Sequence, residues 1–176
     1  FLKFFYSYQK ILISRGLIDY DDILISAVKL LEQNSDVLEY YQNICEYMIE
    51  DEAQDSSFIQ QKLINMLCAK HNNLIRCGDI NQAITTTFTN ADISGFKKFI
   101  DESQKVSMNR SQRCSEGVWK LANSLIDVGE KLLPNAFYKI YMNPVLGKNP
   151  EEKNPIVSEF YNNGMDEKIK IVNTIK

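Results

Sequence analysis

Helical and strand-like segments alternate along this chain from residue 19 to residue 133. Over residues 19–31 the apolar side chains recur every three or four positions, which is the period of an amphipathic helix, and Asp19 can cap its start. Short apolar runs then alternate with further helical segments. Strands joined by such long connections favour a parallel sheet, because a tight turn cannot join two parallel strands. The pattern therefore predicts an α/β domain.

Apolar periodicity and capping residues set the limits of each predicted element. Ser56 or Ser57 can cap one helix, Ser115 can cap the longest helix, and Pro134 ends it. We expect helices at residues 19–31, 37–43, 58–69, 92–100, 115–133 and 166–176, and strands at residues 45–49, 73–79, 105–108 and 155–160.

The composition, 44% hydrophobic and 24% charged, is that of a globular protein and excludes disordered and fibrous chains. The net charge of −3 and the pI near 5.3 do not indicate a nucleic-acid-binding protein, so any contact with DNA or RNA must come from a local patch. No apolar run has the length of a membrane span, and the apolar start is interrupted by Lys3, so we expect neither a membrane partner nor a signal peptide.

The positions of the cysteines and the histidine limit the kinds of metal site, disulfide framework and catalytic triad that the chain can form. The four cysteines, at positions 45, 68, 77 and 114, fit neither a zinc-binding C-x-x-C pair nor a dense disulfide framework. We expect them to be reduced and mostly buried, in a cytoplasmic protein. His71 is the only histidine and stands in a polar stretch, which disfavours a histidine metal cluster and a Ser-His-Asp triad.

The character of the chain changes at Pro134. Residues 134–154 are rich in proline and polar residues, and we interpret them as a connector. Residues 1–133, including helical residues 1–43, would then form part of one domain, and residues 155–176 would begin a second. Because the chain starts at Phe1 rather than at methionine, we expect it to be a piece of a longer protein.

The densest chemical motif is the acidic run at residues 50–55, E-D-E-A-Q-D, which directly follows a predicted strand. Sheets of parallel strands place ligand chemistry at the carboxyl ends of their strands. An Asp-Glu pair in that position suits metal-dependent nucleotide hydrolysis, because one carboxylate can hold Mg²⁺ and the next can activate water. An Asp-Glu pair by itself is also common on solvated surfaces.

Two further motifs follow at the expected ends of elements. Residues 78–82, G-D-I-N-Q, end a predicted strand, although glycine and aspartate there also suit a simple turn. Residues 110–114, R-S-Q-R-C, precede the longest helix, and arginine beside a helix N-terminus suits a phosphate. An ordinary basic loop explains the last motif equally well.

In this order the motifs resemble those of the UvrD/Rep-type superfamily 1 DNA helicases, whose patterns are D-E-x-Q-D-S/T, G-D-x-x-Q-S/A-I, and Y-R-S leading to A-N-x-L-I. Residues 51–56, 78–84 and 113–126 carry these patterns here, and residues 18–24 are similar to the D-F/Y-x-D-L-L stretch that comes before them. The resemblance covers about residues 16–126. It implies an incomplete RecA-like, P-loop NTPase-type parallel sheet flanked by helices, with the start of a second RecA-like domain at the C-terminus.

The resemblance implies a role for each acidic-motif residue. Asp51 would hold Mg²⁺, and Glu52 would be the general base for the water that attacks the γ-phosphate of ATP. Gln54 and Asp55 would link the acidic motif to neighbouring loops at the nucleotide, and Asp79 would lie at the nucleotide with them.

The later motifs would complete the nucleotide site and contact DNA. By the same resemblance Gln82 would sense the γ-phosphate, and Arg113 would pair with its oxygens, a role that suits a planar and permanently charged guanidinium. Phe88 would stack on a base of single-stranded DNA, and Asn123 would also contact DNA. Phe88 is equally well explained as a small core residue.

The sequence departs from the family pattern in informative places. It contains no G-x-x-x-x-G-K-S/T loop, which in the family lies N-terminal to every motif found here. The usual Tyr and Ser around the motif arginine are Gln112 and Cys114, and the usual Ser-Ile-Tyr after the glutamine is Ala-Ile-Thr at residues 83–85. The simplest explanation is a middle segment of a larger helicase.

The resemblance therefore implies part of an ATP-dependent 3′-to-5′ DNA helicase that couples Mg-ATP hydrolysis to translocation and unwinding. Its partners would be single-stranded and duplex DNA, ATP and the remaining helicase domains of the same parent chain, and we expect the segment alone to be inactive. One alternative is a catalytically inactive scaffold module in a DNA repair or nuclease complex. Another is an unrelated α/β phosphohydrolase.

Overall fold

The structure of the protein is a computed structural model. It describes residues 1–84, 90–134, 137–144, 161 and 163–175. The chain divides into two units, Phe1–Lys105 and Val106–Lys176. Across the described residues no helix is long and apolar enough to span a membrane. The predicted domain limits at residues 133, 134–154 and 155–176 stay predictions, and the strand expected at residues 155–160 lies outside the described residues.

The first unit contains five helices within its described residues. They are α1 (Leu2–Arg15), α2 (Tyr20–Gln33), α3 (Ser35–Ile44), α4 (Phe58–Cys68) and α5 (Ile93–Glu102). The helices predicted at residues 19–31, 37–43, 58–69 and 92–100 are confirmed, with ends that move by one or two residues. Their positions follow from local periodicity and capping, which the sequence carries directly.

Two short parallel strands, β1 (Met48–Glu50) and β2 (Leu74–Arg76), lie side by side in this unit. Met48 is opposite Leu74 and Glu50 is opposite Arg76. The predicted parallel pairing and the α/β class are confirmed, although the strands are shorter than expected. The strand predicted at residues 45–49 was placed too early, because α3 continues to Ile44 and the chain bends before it reaches Met48.

The core of the first unit forms where the helices pack together and against this sheet. Helix α2 packs on α3 and α4, and α5 packs on the short turn that follows β1. The most deeply buried apolar residues are Val28, Leu31, Ala53, Cys68 and Phe96. All four cysteines are free, but only Cys68 is buried, so the expectation that most of them are buried was wrong. His71 is exposed, as its polar surroundings indicated.

Two helix starts in this unit are closed by reciprocal side-chain bonds. The Asp19 carboxylate accepts from the Asp22 backbone N–H at 2.8 Å and from the Tyr8 hydroxyl at 3.0 Å. The Asp22 backbone bond, followed by the Tyr8 bond, holds the pKa of Asp19 below its usual value, while the bond to Asp19 raises the pKa of Tyr8. Ser57 closes α4 in the same way with Gln60.

Replacing Ser57 with alanine is expected to lower the free energy of unfolding by about 1 kcal/mol, because the Gln60 backbone N–H then loses its acceptor. Ser57→Asp is the matched control, since aspartate also accepts a bond from the first turn of a helix. Urea unfolding followed by circular dichroism measures both variants. Equal losses in the two variants would show that the cap does not stabilise α4.

The second unit is built around one long helix. Strand β3 (Arg110–Ser111) pairs in parallel with β4 (Asn143–Pro144), and α6 (Glu116–Leu132) lies between them in sequence. Helix α7 (Gly164–Ile175) ends the described chain. The helices predicted at residues 115–133 and 166–176 are confirmed. The strand predicted at residues 105–108 was wrong. Val106 is 83% exposed and Met108 is 89% exposed, and within the described part of the chain strand pairing in this unit begins at Arg110.

Candidate functional site

The acidic motif and the second motif meet at the carboxyl ends of β1 and β2. The backbone pairing continues beyond the strands, because the Cys77 N–H donates to the Glu50 carbonyl and the Ala53 N–H donates to the Cys77 carbonyl, each at 2.8 Å. The chain that leaves β1 therefore runs beside the chain that leaves β2. This is the arrangement that parallel strands give to consecutive motifs.

The two leading carboxylates stand on an unusual piece of backbone. Glu52 has φ 51°, in the left-handed region, where a non-glycine residue is uncommon and strained. Its N–H bonds to the Asp51 carboxylate at 3.0 Å, which supports the bend. Both side chains are exposed, so they are available to a ligand at the end of the strand. Strain of this kind is often found where a backbone is shaped for function.

Gln54 joins the two motifs. It is only 2% exposed, in the 3₁₀ turn Ala53–Asp55, and its amide donates to the Glu52 carboxylate at 2.7 Å. Its carbonyl oxygen accepts from the Asp79 backbone N–H at 3.1 Å. One buried side chain thus ties the orientation of Glu52 to the segment that follows β2.

Asp79 and Gln82 form a compact turn on the other side of this bridge. The Asp79 carboxylate accepts from the Asn81 backbone N–H at 2.9 Å and from the Gln82 side-chain amide at 2.8 Å. The 3₁₀ turn Ile80–Gln82 is capped in this way, as expected of an aspartate in such a turn. Gln82 is exposed, and its amide is held by Asp79.

Gly78 occupies a place where no side chain fits. A Cβ atom at this position would lie 2.6 Å from the Gln54 side-chain oxygen and 2.9 Å from the Phe96 ring. Both neighbours are buried, and Gln54 is hydrogen-bonded at both ends of its amide. The glycine of the second motif is thus required by the close approach of Gln54 rather than by a positive φ.

A pocket of about 390 Å³ opens beside the acidic motif, and its oxygen-bearing lining residues include Glu50, Asp51, Glu52, Asp55 and Ser56. Among the described residues, no group of three or more His, Cys, Asp or Glu side chains is arranged to hold a metal ion unaided. Mg²⁺ does not need such a group, because it takes one or two carboxylates together with water and substrate phosphates. The exposed, all-oxygen donors Asp51 and Glu52 therefore fit this ion.

The remaining predicted residues lie elsewhere. Arg113 is exposed and precedes α6 in the second unit. Asn123 lies on α6, where its amide accepts from the Met142 N–H at 2.8 Å and donates to the Met142 carbonyl at 2.9 Å. Phe88 lies outside the described residues. Asp51, Glu52, Gln54, Asp55 and Asp79 with Gln82 are thus the predicted residues that share the first unit's strand ends.

Sequence reasoning missed a charged pair next to this site. Arg76 on β2 donates from Nε to the Glu50 carboxylate on β1, and its Nη1 donates to the Gln61 side-chain oxygen at 3.1 Å. The sequence carried only part of the signal, because Arg76 lies within the strand predicted at residues 73–79 while Glu50 lies one residue beyond the strand predicted at residues 45–49. The alignment of the two strands, which the sequence does not state, turns that signal into a contact.

Comparisons with known proteins identify the family of the chain. Residues 1–104 match the family model described as UvrD/REP helicase N-terminal domain. The chain is 28% identical over 165 residues to the ATP-dependent DNA helicase Rep of Buchnera aphidicola. The aligned stretch covers 89% of this chain and 24% of Rep. It is 31% identical over 134 residues to the ATP-dependent DNA helicase PcrA of Staphylococcus aureus. This aligned stretch covers 74% of this chain and 18% of PcrA. The chain thus spans about a quarter or less of these relatives.

Proposed function

Because this chain belongs to the UvrD/Rep helicase family, we propose that it forms the ATP-hydrolysing part of an ATP-dependent DNA helicase. The parent protein would use Mg-ATP to move 3′ to 5′ on single-stranded DNA and to unwind duplexes during DNA repair in the cytoplasm. Its first domain would have the RecA-like P-loop fold, with residues 134–154 as the connector and residues 155–176 as the start of the second domain. The remaining part of that first domain would supply the phosphate-binding loop.

The Gln54 bridge is the observation that most supports this proposal. Nucleotide hydrolysis needs a base and a phosphate-sensing group that keep a defined relation to each other. Gln54 bonds to Glu52 on one side and to the Asp79 backbone on the other, and Asp79 in turn holds Gln82. A solvated acidic surface needs no such buried connection between its charges.

Each residue of the site has a distinct proposed task. Asp51 would hold Mg²⁺, which when bound supplies positive charge to the phosphates. Glu52 would accept a proton from the attacking water, and Gln54 would keep the Glu52 carboxylate directed at that water. Gln82 would contact the γ-phosphate by exchanging its bond to Asp79 for one to the ligand. Asp55 lines the same pocket and would stabilise the turn that carries Gln54.

Arg113 is the proposed partner of the γ-phosphate oxygens from the second unit. It is exposed and belongs to the segment between β3 and α6, so its guanidinium is accessible to a ligand. Arginine suits this task because its charge is permanent and its donors match phosphate oxygens in pairs.

DNA contacts are proposed for Phe88 and Asn123, by stacking on a base and by hydrogen bonding. The Asn123 amide bonds at both ends to the Met142 backbone, so a contact with DNA would compete with those bonds. The net charge of −3 gives this chain little general attraction for a polyanion. We therefore expect other domains of the parent protein to supply most phosphate contacts.

Glu52→Gln tests the proposal in a protein extended at both ends to the length of the relatives. Loss of the base is expected to lower kcat for DNA-stimulated ATP hydrolysis by about 10²–10⁴-fold, with ATP affinity little changed. Glu46→Gln is the matched control, because Glu46 is an exposed acid outside the pocket and should leave kcat unchanged. Steady-state hydrolysis and equilibrium nucleotide binding measure the two effects.

An extended protein that neither binds nor hydrolyses ATP would overturn this proposal. The inactive scaffold module would then be the better explanation, with the acids retained only from ancestry. If Glu46→Gln and Glu52→Gln lowered kcat equally, the effect would be general and Glu52 would lose its assigned role.

A further inference from the structure

The ion pair between Glu50 and Arg76 is the most deeply buried charged contact that the described residues contain. The two residues face each other across β1 and β2, and their side chains are 10% and 2% exposed. Glu50 is the residue immediately before Asp51 and also lines the acidic pocket. Of the carboxylates around that pocket, Glu50 is thus the one that faces a buried cation.

Arg76 is held in place on several sides. Its guanidinium lies 5.5 Å from the ring centre of Phe96 and 5.3 Å from that of Phe99, both on α5. Nη1 bonds to Gln61, whose amide also donates to the Asp92 carbonyl at 2.7 Å. Arg76 therefore connects the sheet to α4 and α5, and it has little freedom to leave Glu50.

Stability alone is a poor explanation for this pair. Burying two charges costs desolvation energy, and apolar side chains of similar size often stabilise such a position equally well. Nη2 of Arg76 is buried without a hydrogen-bond partner in the described part of the chain, which adds a further cost. Because the pair carries these energetic costs, we look for its role in the placement of charge near the acidic pocket.

We propose that Arg76 is a positioning residue that holds the Glu50 carboxylate in a buried ion pair at the edge of the acidic pocket and cancels its charge there. The divalent cation then meets Asp51 and Glu52 at the strand end without competition from the Glu50 charge. The inference deepens the proposed function, since it rests on the pocket taking a divalent cation. It assigns to Arg76 the selection of which carboxylates the cation encounters.

Mn²⁺ binding by the full 176-residue chain, followed by the paramagnetic resonance signal of the free ion, tests this role. Arg76→Gln leaves Glu50 uncompensated, so we expect Mn²⁺ to bind about tenfold more tightly than to the unmodified chain. In the double variant Glu50→Gln with Arg76→Gln, affinity should return to the original value. Glu50→Gln alone should weaken Mn²⁺ binding by a similar factor, because it leaves the Arg76 charge uncompensated beside the pocket.

A gain in Mn²⁺ affinity would distinguish a positioning role of Arg76 from a purely structural role, because a chain that is only destabilised would bind the ion less tightly. The inference would be overturned if a folded Arg76→Gln variant bound Mn²⁺ with unchanged or lower affinity. It would also be overturned if that variant did not bind Mn²⁺ at all. If Arg76→Gln does not fold, the double variant, which has no uncompensated charge at this position, decides the question. A tenfold or greater loss of Mn²⁺ affinity in the double variant would make Glu50 itself a ligand and contradict the inference.

Failure here and failure of the proposed function are distinguishable. Mn²⁺ binding does not depend on the extended protein, on ATP or on DNA. An extended protein without ATPase activity would overturn the helicase proposal while the Arg76→Gln gain still stood. Conversely, an active enzyme with a Glu52→Gln defect and no Arg76→Gln gain would remove only the role given to Arg76.

Discussion

Replacing Phe96 with alanine is expected to lower the free energy of unfolding of the first unit by about 3–5 kcal/mol. The Phe96 ring is 2% exposed and lies beneath the Arg76 guanidinium. It is also 2.9 Å from the position that a Cβ atom on Gly78 would occupy. Its loss would leave a cavity and would also remove a cation–π contact from a buried charge. Helix α5 would then lose one of its two aromatic contacts with Arg76 on β2.

Urea unfolding of the Phe96→Ala variant, followed by far-ultraviolet circular dichroism, measures this loss. Phe58→Ala is the matched control, because Phe58 also lies on a helix of the first unit but is 68% exposed. We expect the control to change stability by less than about 0.5 kcal/mol. Losses of similar size in the two variants would show that α5 is not docked through Phe96.

Gly78→Ala should produce the next largest loss, about 1–3 kcal/mol, through overpacking. The new methyl group would displace either the Gln54 amide or the Phe96 ring, and both are buried. Displacement of Gln54 would also break its bond with the Asp79 N–H. The substitution is therefore expected to loosen the link between the acidic motif and the second motif.

Hydrogen exchange of the Asp79 amide, measured together with unfolding, tests both parts of this expectation. Protection at Asp79 should fall in Gly78→Ala, whereas Gly164→Ala should leave it unchanged. Gly164 is a suitable control because no atom lies within 4 Å of the Cβ that the substitution adds. If the Asp79 amide stayed protected at undiminished stability, the described approach of Gln54 to Gly78 would be wrong.

The sequence was most informative where structure depends on neighbours in the chain. The capping bonds at Asp19 and Ser57 and the helices that they start could be predicted, because each depends on residues within one or two turns. The same local reasoning failed at residues 105–108. The apolar residues there alternate, but none of the described strands pairs with them, and a strand exists only where another strand pairs with it.

The site was predictable as a set of residues but not as an arrangement. The order of the motifs predicted Asp51, Glu52, Gln54, Asp79 and Gln82 as site residues, and all five lie within the range that matches the family model. Nothing in the order of the motifs indicates that Gln54 turns inward and spans two strand ends, or that Gly78 must lack a side chain to admit it. These features arise from distances between segments that are far apart in the chain.

The sequence by itself determined the helices, the α/β class and membership of the UvrD/Rep family, because periodicity, caps and motif order are all written along the chain. Tertiary structure alone decided that Arg76 faces Glu50 and that Gln54 joins Glu52 to Asp79. The physical reason is strand register. A shift of one residue between β1 and β2 would keep every local preference and yet separate the two charges.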